Sequence, residues 1–191
     1  MSHVYVTSDW HIGHSGISNK FRRQYQNDLE HDYDILTKVT ETVRKRDVLF
    51  VLGDATWTQK GLKTIDSMKI PCPMYLVRGN HDILPTTDYL AVFKEVYGAY
   101  HYKKCWFTHI PIHPNELMGR KNIHGHCHRG GPNQLQTKPD WFEYYNAILE
   151  YNDYRPINMQ VVYEQLQKQW KTANERKTRT VKLSKKQESI Q

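Results

Sequence analysis

Cysteine is scarce in this 191-residue chain, and the three cysteines, Cys72, Cys105 and Cys127, form no Cys-x-x-Cys pair. An odd number of thiols argues against a disulfide framework. The sequence begins MSHVYVTSD, which is typical of a strand, and no charged segment with a following apolar stretch precedes it. We therefore expect no secretory signal and a location in the reducing cytoplasm.

Long hydrophobic runs are also absent. The longest, VLFVL at 48–52, is far shorter than the roughly 20 residues that a membrane-spanning helix needs, so we expect no membrane partner. Hydrophobic residues nevertheless make up 38% of the chain and aromatic residues 12%, which excludes a disordered protein. At this length we expect one domain with a buried core.

Acidic residues are fewer than basic ones, and the formal net charge is +7. The excess lies at the C-terminal end, because residues 168–191 contain eight basic and two acidic residues, which leaves the rest nearly neutral. We predict one domain over 1–174 and a basic, flexible tail over 175–191. Such a tail is either a solvated extension or a nucleic-acid contact, and charge alone favours the extension.

The apolar pattern alternates between strands and helices, which predicts an α/β fold. Predicted strands lie at 3–8, 48–54, 73–82, 105–109, 122–125 and 143–151. Predicted helices lie at 28–46, 61–68 and 88–96, and a last helix follows Asn158. The first of these helices has Asn27 or Asp28 as its N-cap. We expect the last helix, which contains Trp170, to pack on the body.

Polar side chains follow five of the predicted strands at the point where each strand ends. They are Asp9, His11 and His14; Asp54; Asn80, His81 and Asp82; His109; and His126 and His128. Ligands of α/β proteins bind outside the carboxyl ends of the strands. We therefore expect these side chains to meet at one edge of the fold.

This mixture of side chains is typical of a metal site. Carboxylate and amide oxygens with neutral imidazoles suit Mn²⁺, Fe²⁺, Co²⁺, Ni²⁺ or Zn²⁺. Alternation along an extended strand places His126 and His128 on the same face and turns Cys127 away. A structural zinc takes only four ligands, so the larger set favours two ions that share a bridging carboxylate. Two such ions bind a phosphate and hold a hydroxide for in-line attack.

Five motifs occur in a familiar order: DWH at 9–11, GD at 53–54, GNHD at 79–82, His109 in THIP, and GHCH at 125–128. In this order they resemble the calcineurin-like metallophosphoesterase family. The segment YYNAILEYNDYRPINMQ also resembles the end of its small bacterial and phage members. Any one motif is weak, but five at plausible strand ends are a specific signal.

The resemblance implies an αββα sandwich of two mixed sheets flanked by helices, with a dinuclear centre, most often of Mn²⁺. It implies one ligand set for the first metal and another for the second, with Asp54 as the bridge. The first set is Asp9, His11, Asp54 and His128, and the second is Asn80, His109 and His126 with the bridging Asp54.

The resemblance also implies roles around the metals. His81 would protonate the leaving oxygen or stabilise charge there, and Asp82 would orient His81. His14 would face the substrate. Apart from the resemblance, Arg78 and Arg129 flank the motifs in sequence and are candidates for binding a phosphate oxygen. His113 is a further candidate contact to substrate or to a ligand.

One departure from the family narrows the substrate. Protein phosphatases of the family show G-D-x-x-D-R-G, but here the stretch reads GDATWTQKG, with Thr58 at the arginine position. We therefore expect a phosphodiesterase that acts on a small nucleotide or similar phosphodiester. The alternatives are a DNA or RNA nuclease and a non-catalytic scaffold, and the scaffold is disfavoured because no ligand is missing.

Overall fold

The computed structural model describes residues 2–22, 24–128 and 143–188. Its strands are β1 (Val4–Thr7), β2 (Val48–Val51), β3 (Met74–Val77), β4 (Glu95–Tyr97), β5 (Tyr100–Tyr102), β6 (Cys105–Phe107), β7 (Lys121–His124), β8 (Tyr144–Asn146) and β9 (Ile157–Asn158). Its α-helices are α1 (Ile17–Lys20), α2 (Asp28–Thr42), α3 (Gln59–Ser67), α4 (Thr86–Tyr89) and α5 (Met159–Glu188). Short 3₁₀ turns lie at Pro114–Glu116 and Leu149–Tyr151.

The strands form two mixed sheets. The first has the order β4-β3-β2-β1-β9, in which β9 runs antiparallel to β1 and the other pairs are parallel. The second has the order β5-β6-β7-β8, with only β5 antiparallel to its neighbour. Helices flank the sheets, so the predicted sandwich class is confirmed.

Strand β2 explains why the first sheet is covered on both faces. Leu49 and Val51 belong to an apolar core that includes residues of α2 and α3. Phe50 belongs to a second core, which includes Phe107 of β6. Because successive side chains point to opposite faces, a continuously apolar strand such as β2 must be buried on both sides.

Helix α2 begins where the sequence predicts, since the Asn27 side chain accepts a hydrogen bond from the Glu30 N–H at 2.9 Å. The predicted apolar face is partly wrong. Leu29 and Tyr33 are exposed, and the buried face instead includes His31 and Ile35. The buried face of α2 includes polar side chains, so it is not the face that the spacing of apolar residues predicts.

Three other sequence predictions need correction. The predicted helix at 88–96 is α4 followed by β4, because the chain pairs with β3 at 95–97. Strand β5 is absent from the prediction. The predicted strand at 143–151 is only the three residues of β8, and a 3₁₀ turn replaces the rest. In the first two cases pairing with a neighbouring strand overrides the local pattern.

The C-terminal helix begins as predicted, and Asn158 Oδ1 accepts from the Gln160 N–H at 2.8 Å. Met159, Val162 and Leu166 are buried in the second core, so the helix packs on the body as predicted. Trp170 itself is half exposed. The helix continues to Glu188, past the predicted domain end at 174. Flexibility of 175–191 stays a prediction. No helix among the described residues has the length and apolarity to cross a membrane.

Candidate metal centre

The turns after β1 and β2 are joined side by side at one edge of the first sheet. The Asp9 N–H donates to the Gly53 carbonyl at 2.9 Å, and the His11 N–H donates to the Asp54 carbonyl at 2.9 Å. Because β1, β2 and β3 are parallel neighbours, their carboxyl ends meet there. The predicted clustering of strand-end side chains therefore has a direct cause in the topology.

Four of the predicted ligands have left-handed backbone: Asp9 (φ 61°), His11 (φ 53°), Asp54 (φ 53°) and His126 (φ 67°). Each such residue costs about 1–3 kcal/mol and persists only where its surroundings fix it. Backbone bonds between the turns after β1 and β2 supply that constraint for Asp9, His11 and Asp54, and the hydrogen bond from the His126 N–H to Oδ2 of Asp9 supplies it for His126. Unfavourable backbone is thus concentrated at the residues that the sequence predicts to hold metal.

Two positions in the motifs must be glycine because neighbouring side chains lie too close to the backbone for a Cβ. A Cβ on Gly53, whose φ is +87°, would lie 2.4 Å from Nδ1 of His109. A Cβ on Gly125 would lie 1.8 Å from Oγ of Ser8 and 2.5 Å from Oδ2 of Asp9. Any larger residue would displace a predicted ligand, which explains the glycines of GD and GHCH.

The first cluster consists of Asp9, His11 and His128. Oδ1 of Asp9 lies 3.1 Å from Nε2 of His128 and 3.8 Å from Nε2 of His11. The two imidazole Nε2 atoms are 3.3 Å apart. Oδ1 of Asp9 is buried and makes no well-aligned hydrogen bond, so three ligand atoms converge on one point without satisfying one another.

The second cluster consists of Asn80, His109 and Asp54. Nε2 of His109 lies 3.0 Å from Oδ1 of Asn80 and 3.4 Å from Oδ2 of Asp54. Nδ1 of His109 is 2.8 Å from the Leu52 carbonyl, which can only accept. The Nδ1 proton is fixed by that bond, so a positive group, a proton or a metal ion, must lie between Nε2 and the two oxygens.

Asp54 connects the two clusters. Its Oδ2 lies 3.8 Å from Nε2 of His11 and 3.4 Å from Nε2 of His109. Its Oδ1 accepts a hydrogen bond from the His81 N–H at 2.9 Å. This is the position that a bridging carboxylate requires. Asp9 also faces both clusters, since its carboxylate lies near the ligand atoms of Asp54 and His109.

The carboxylates and imidazoles shift one another's pKa values strongly. Burial acts to raise the pKa of Asp9, but the neighbouring imidazoles, above all His128, outweigh it and hold the pKa well below its usual range. Burial acts to lower the pKa of His128, yet the carboxylates of Asp9 and Glu150 on either side of the ring raise it to about 10. Burial also acts to lower the pKa of His109, but the Asp54 and Asp9 carboxylates outweigh it and raise the pKa to about 9.

His11 differs from these two imidazoles, because burial lowers its pKa to about 3. Its ring therefore stays neutral and keeps a lone pair. Ionised carboxylates, an amide oxygen and imidazole nitrogens are the ligands that first-row divalent metals take. The donor set and the unsatisfied oxygen of Asp9 thus fit a metal site.

His126 lies beside the second cluster. Its N–H donates to Oδ2 of Asp9 at 3.0 Å, and its ring centroid is 5.1 Å from that of His109. Cys127 is buried, and burial raises the pKa of its thiol to about 11. The thiol therefore stays protonated. The predicted strand alternation does not apply here, because β7 ends at His124 and His126 has left-handed backbone.

The comparison with protein families agrees with this geometry. The family model for calcineurin-like phosphoesterases matches residues 2–185. The chain belongs to the calcineurin-like phosphoesterase family. The resemblance seen in the motifs is thereby confirmed. Calcineurin-like phosphoesterases are metal-dependent and typically use two divalent ions, and the Asp and His groups described above can bind metal.

Two proteins are similar to this calcineurin-like phosphoesterase over most of its length. The uncharacterized protein MJ1445 of Methanocaldococcus jannaschii is 22% identical over 175 residues, which cover 88% of this chain and 93% of that protein. The protein of unknown function AQ665 from Aquifex aeolicus has a crystal structure similar to this fold, with a TM-score of 0.67 and 26% identity. The match covers 86% of this chain and 99% of that one.

Two supporting residues of this calcineurin-like site are missing from the sequence prediction. Oε1 of Glu150 lies 2.9 Å from Nδ1 of His128 and 3.2 Å from Nε of Arg22. Arg22 is buried and also donates to the Asp9 and Trp10 carbonyls. Glu150 thus orients a metal-facing imidazole, and Arg22 fixes the turn that carries Asp9. The family-like segment YYNAILEY contains Glu150 and was the one signal that pointed to it.

Asp82 has a different role from the predicted one. Its carboxylate accepts from four backbone N–H groups, those of Asp54, Gly79, Ala55 and Thr56, at 2.8–3.2 Å. Within the described residues it makes no hydrogen bond to the His81 ring. Asp82 therefore fixes the two turns that carry Asp54 and Asn80 instead of orienting His81.

The prediction that Arg78 binds a phosphate oxygen also needs correction. Its guanidinium donates to the carbonyls of Asp82 and Leu84 and to Oγ1 of Thr86, and it lies 5.5 Å from the Tyr89 ring centroid. These bonds make it a brace of the 78–86 segment and leave little to offer a phosphate. Arg129, a second arginine near the motifs, lies outside the described residues.

His113 and His14 occupy different places relative to the metal ligands. His113 is exposed, and its Nδ1 accepts from the Asn115 N–H at 3.3 Å as the cap of a 3₁₀ turn. His113 therefore has a hydrogen-bond partner within its own 3₁₀ turn, and among the described residues it makes no hydrogen bond to a predicted metal ligand. The His14 ring centroid lies 6.1 Å from that of His11, so His14 is beside the first cluster, where the prediction places a substrate contact.

Trp57 is a further neighbour that the sequence prediction missed. Its ring centroid lies 4.3 Å from that of His14, 5.0 Å from that of His81 and 5.8 Å from that of His11. His81 itself is exposed and lies 5.5 Å from His11, centroid to centroid. The predicted proton donor is thus next to the first cluster and open to a substrate.

Proposed function

We propose that this protein is a dinuclear-metal-dependent phosphodiesterase of the cytoplasm that hydrolyses a small nucleotide or a similar phosphodiester, with Mn²⁺ as the preferred metal. The observation that carries the proposal is the convergence of carboxylate oxygens and imidazole nitrogens described above. Asp9, Asp54 and the imidazole Nε2 atoms lie 3.1–3.8 Å apart with no complete hydrogen-bond pairing. Three free, buried thiols support a reducing compartment.

The residues that would hold the metals fall into the two clusters. The first ion would take Asp9, His11 and His128, the second Asn80, His109 and His126, and Asp54 would bridge. When bound, such ions supply positive charge to the phosphate oxygens and lower the pKa of water to near neutrality. The protein's part is to hold these ligands in place on two adjoining turns.

His81 is the residue proposed to act on the leaving group. Its backbone N–H is fixed by Oδ1 of Asp54 at 2.9 Å, and its exposed ring lies beside that of His11. A proton held on this ring can pass to the leaving oxygen while the ester bond breaks. General acid catalysis of this kind is worth about 10²–10⁴-fold in rate.

The arginines support a diester in preference to a phosphoprotein or other monoester. A monoester dianion calls for more positive charge than a diester monoanion. Arg22 is tied to Glu150 and two carbonyls, and Arg78 is tied to its own loop. Thr58, at the position of the phosphatase arginine, is occupied as the N-cap of α3 and accepts from the Gly61 N–H at 2.9 Å.

A small substrate is preferred over a nucleic acid because of where the basic residues lie. The excess charge is concentrated in 168–191, in the C-terminal part of α5, while the motif-bearing body is nearly neutral. A polymer substrate would call for basic side chains around the site itself. A nuclease remains an outcome of the test.

The test is a substrate panel with the purified, Mn²⁺-loaded protein. We expect turnover of bis(4-nitrophenyl) phosphate and of small nucleotide diesters, little turnover of 4-nitrophenyl phosphate, and none after chelation. Asp9→Asn is the matched inactive control, and Asp66→Asn, in an exposed ion pair on α3, is the active one. Faster hydrolysis of monoesters than of diesters would contradict the proposal. Efficient cleavage of RNA or DNA with no activity on small diesters would replace it with a nuclease.

A further inference from the structure

Trp57 lies in the turn between β2 and α3, three residues after Asp54, and belongs to neither apolar core. The ring neighbours of the half-buried indole are histidines of the site, with centroids 4.3 Å away at His14, 5.0 Å at His81 and 5.8 Å at His11. A tryptophan that packs on site histidines instead of on the core is placed for contact with a ligand.

A second exposed ring continues this surface. Phe21, directly after α1, is 73% exposed, and its ring centroid lies 6.4 Å from that of His14. We name Phe21, His14, Trp57 and His81 together the aromatic strip. The rings of His81, Trp57 and His14 each lie 5.5–6.1 Å from that of the predicted ligand His11, and Phe21 continues the strip next to His14. Exposed apolar rings next to a site are more often functional than exposed rings elsewhere.

The turn that carries Trp57 is held firmly by the residues on either side of it. Oγ1 of Thr56 donates to the Ile12 carbonyl at 2.7 Å, and the Thr56 N–H donates to Asp82. On the other side, Thr58 caps α3, and its N–H lies 3.2 Å from Oγ1 of Thr56. The indole is therefore presented from a rigid backbone, which limits the entropy lost when a ligand binds it.

We infer that the aromatic strip binds the planar base of a nucleotide substrate, with the base against Trp57 while the phosphate lies at the metal ligands. This inference rests on the proposed phosphodiesterase function and names its substrate class. Stacking suits this role because every base has a π-face, so recognition is tolerant of base identity. The strip thus selects nucleotides over diesters without a ring.

The competing role for Trp57 is purely structural support of His81 and His14. The two roles differ in what they predict for ligands with and without a base. Structural support would affect all phosphate ligands equally. Stacking would affect only those with a ring, so a comparison of paired ligands separates the two.

The experiment measures calorimetric affinities of the Mn²⁺-loaded protein for adenosine 5′-monophosphate and ribose 5-phosphate. Wild type should bind the nucleotide at least about fivefold more tightly, as expected for one stacked base. Trp57→Leu should reduce that preference to less than about twofold and leave ribose 5-phosphate affinity unchanged. Trp57→Phe keeps an aromatic ring and should retain most of the preference for the nucleotide. Trp170→Leu, at a half-exposed tryptophan on α5, is the matched control and should behave as wild type.

Two results would overturn the inference: no preference for the nucleotide in wild type, or an equal preference in Trp57→Leu and Trp57→Phe. Equal weakening of both ligands in Trp57→Leu would assign the residue to structural support. Binding does not depend on turnover, so these results are distinct from a failure of the proposed function. That failure would appear as absent diester hydrolysis in the wild-type protein, whatever its base preference.

Discussion

Oε1 of Glu150 lies 2.9 Å from Nδ1 of His128, while Nε2 of the same ring faces Oδ1 of Asp9 at 3.1 Å. The ring therefore lies between two carboxylates, one of which is a predicted metal ligand. A carboxylate behind a metal-binding imidazole fixes the ring and raises its basicity. Glu150 is thus part of the metal centre although it does not touch the metal position.

Glu150→Gln tests this relationship. The change keeps the shape of the side chain but removes the charge, and we expect metal affinity to fall about 10–100-fold. Metal titration followed by calorimetry measures the effect. Glu164→Gln, at an exposed residue of α5, should leave affinity unchanged. Unaltered affinity in Glu150→Gln would assign Glu150 to the Arg22 contact alone.

Asp54→Asn tests the bridge. The Asp54 carboxylate lies near the imidazole nitrogens of both clusters, so we expect a folded variant with weakened metal binding and almost no diesterase activity. Circular dichroism checks the fold, elemental analysis gives the metal content, and hydrolysis of bis(4-nitrophenyl) phosphate gives the rate. Near-native turnover at saturating Mn²⁺ would exclude a two-metal centre bridged by Asp54.

His81→Ala separates a proton donor from a ligand. We expect about two metals per chain to remain while the rate falls roughly 10²–10⁴-fold. The decrease should be smaller for substrates that release nitrophenolate, because that leaving group needs no proton. His101→Ala, at an exposed histidine of β5, serves as the control. Loss of one metal equivalent in His81→Ala would make His81 a ligand instead.

Metal affinity should rise with pH. In the absence of metal the pKa values of His109 and His128 are raised to about 9 and about 10, so both rings carry a proton at pH 7 that metal must displace. We expect about two protons to be released per centre filled at pH 7, and an affinity that increases more weakly above pH 9 and levels off once the pH passes about 10. Calorimetry in buffers of different ionisation enthalpy counts the protons. Affinity independent of pH between 6.5 and 8.5 would contradict the assignment.

Truncation after Ala173 tests the basic C-terminal segment. For a small diester we expect kcat/KM to stay within about twofold, with little change in salt dependence. For a nucleic acid, every phosphate that the shortened protein no longer neutralises would reduce the log–log salt slope by ~0.7–0.9. A truncated protein that still hydrolyses a small chromogenic diester but no longer cleaves a polymer at physiological salt would make this a nuclease.

The predicted ligands could be found from the sequence because each follows an apolar strand directly, and the chain order of parallel strands decides which ends meet. Asp54 and His109 are examples, since both lie within a few residues of a strand. Glu150 and Arg22 could not be found this way. They are 128 residues apart in the chain, and neither belongs to a motif whose chemistry requires it.

Local patterns failed where tertiary contacts decided the outcome. Leu29 and Tyr33 fit an apolar helical stripe but are exposed, because buried polar contacts to His31 and Asp32 set the orientation of α2. Arg78 beside GNHD has the charge to bind phosphate, but nearby carbonyls occupy its donors. Sequence gives a side chain's chemistry, whereas only the fold shows whether its donors are already used.

The left-handed backbone at Asp9, His11, Asp54 and His126 sets a conflict between heat resistance and activity. Glycine would relieve the backbone cost at each position but remove a ligand, and asparagine would relieve part of it. A laboratory population of this protein selected only for survival at high temperature, without a requirement for catalysis, should therefore lose these four residues early. Their retention in a thermostable variant would in turn indicate that activity was under selection.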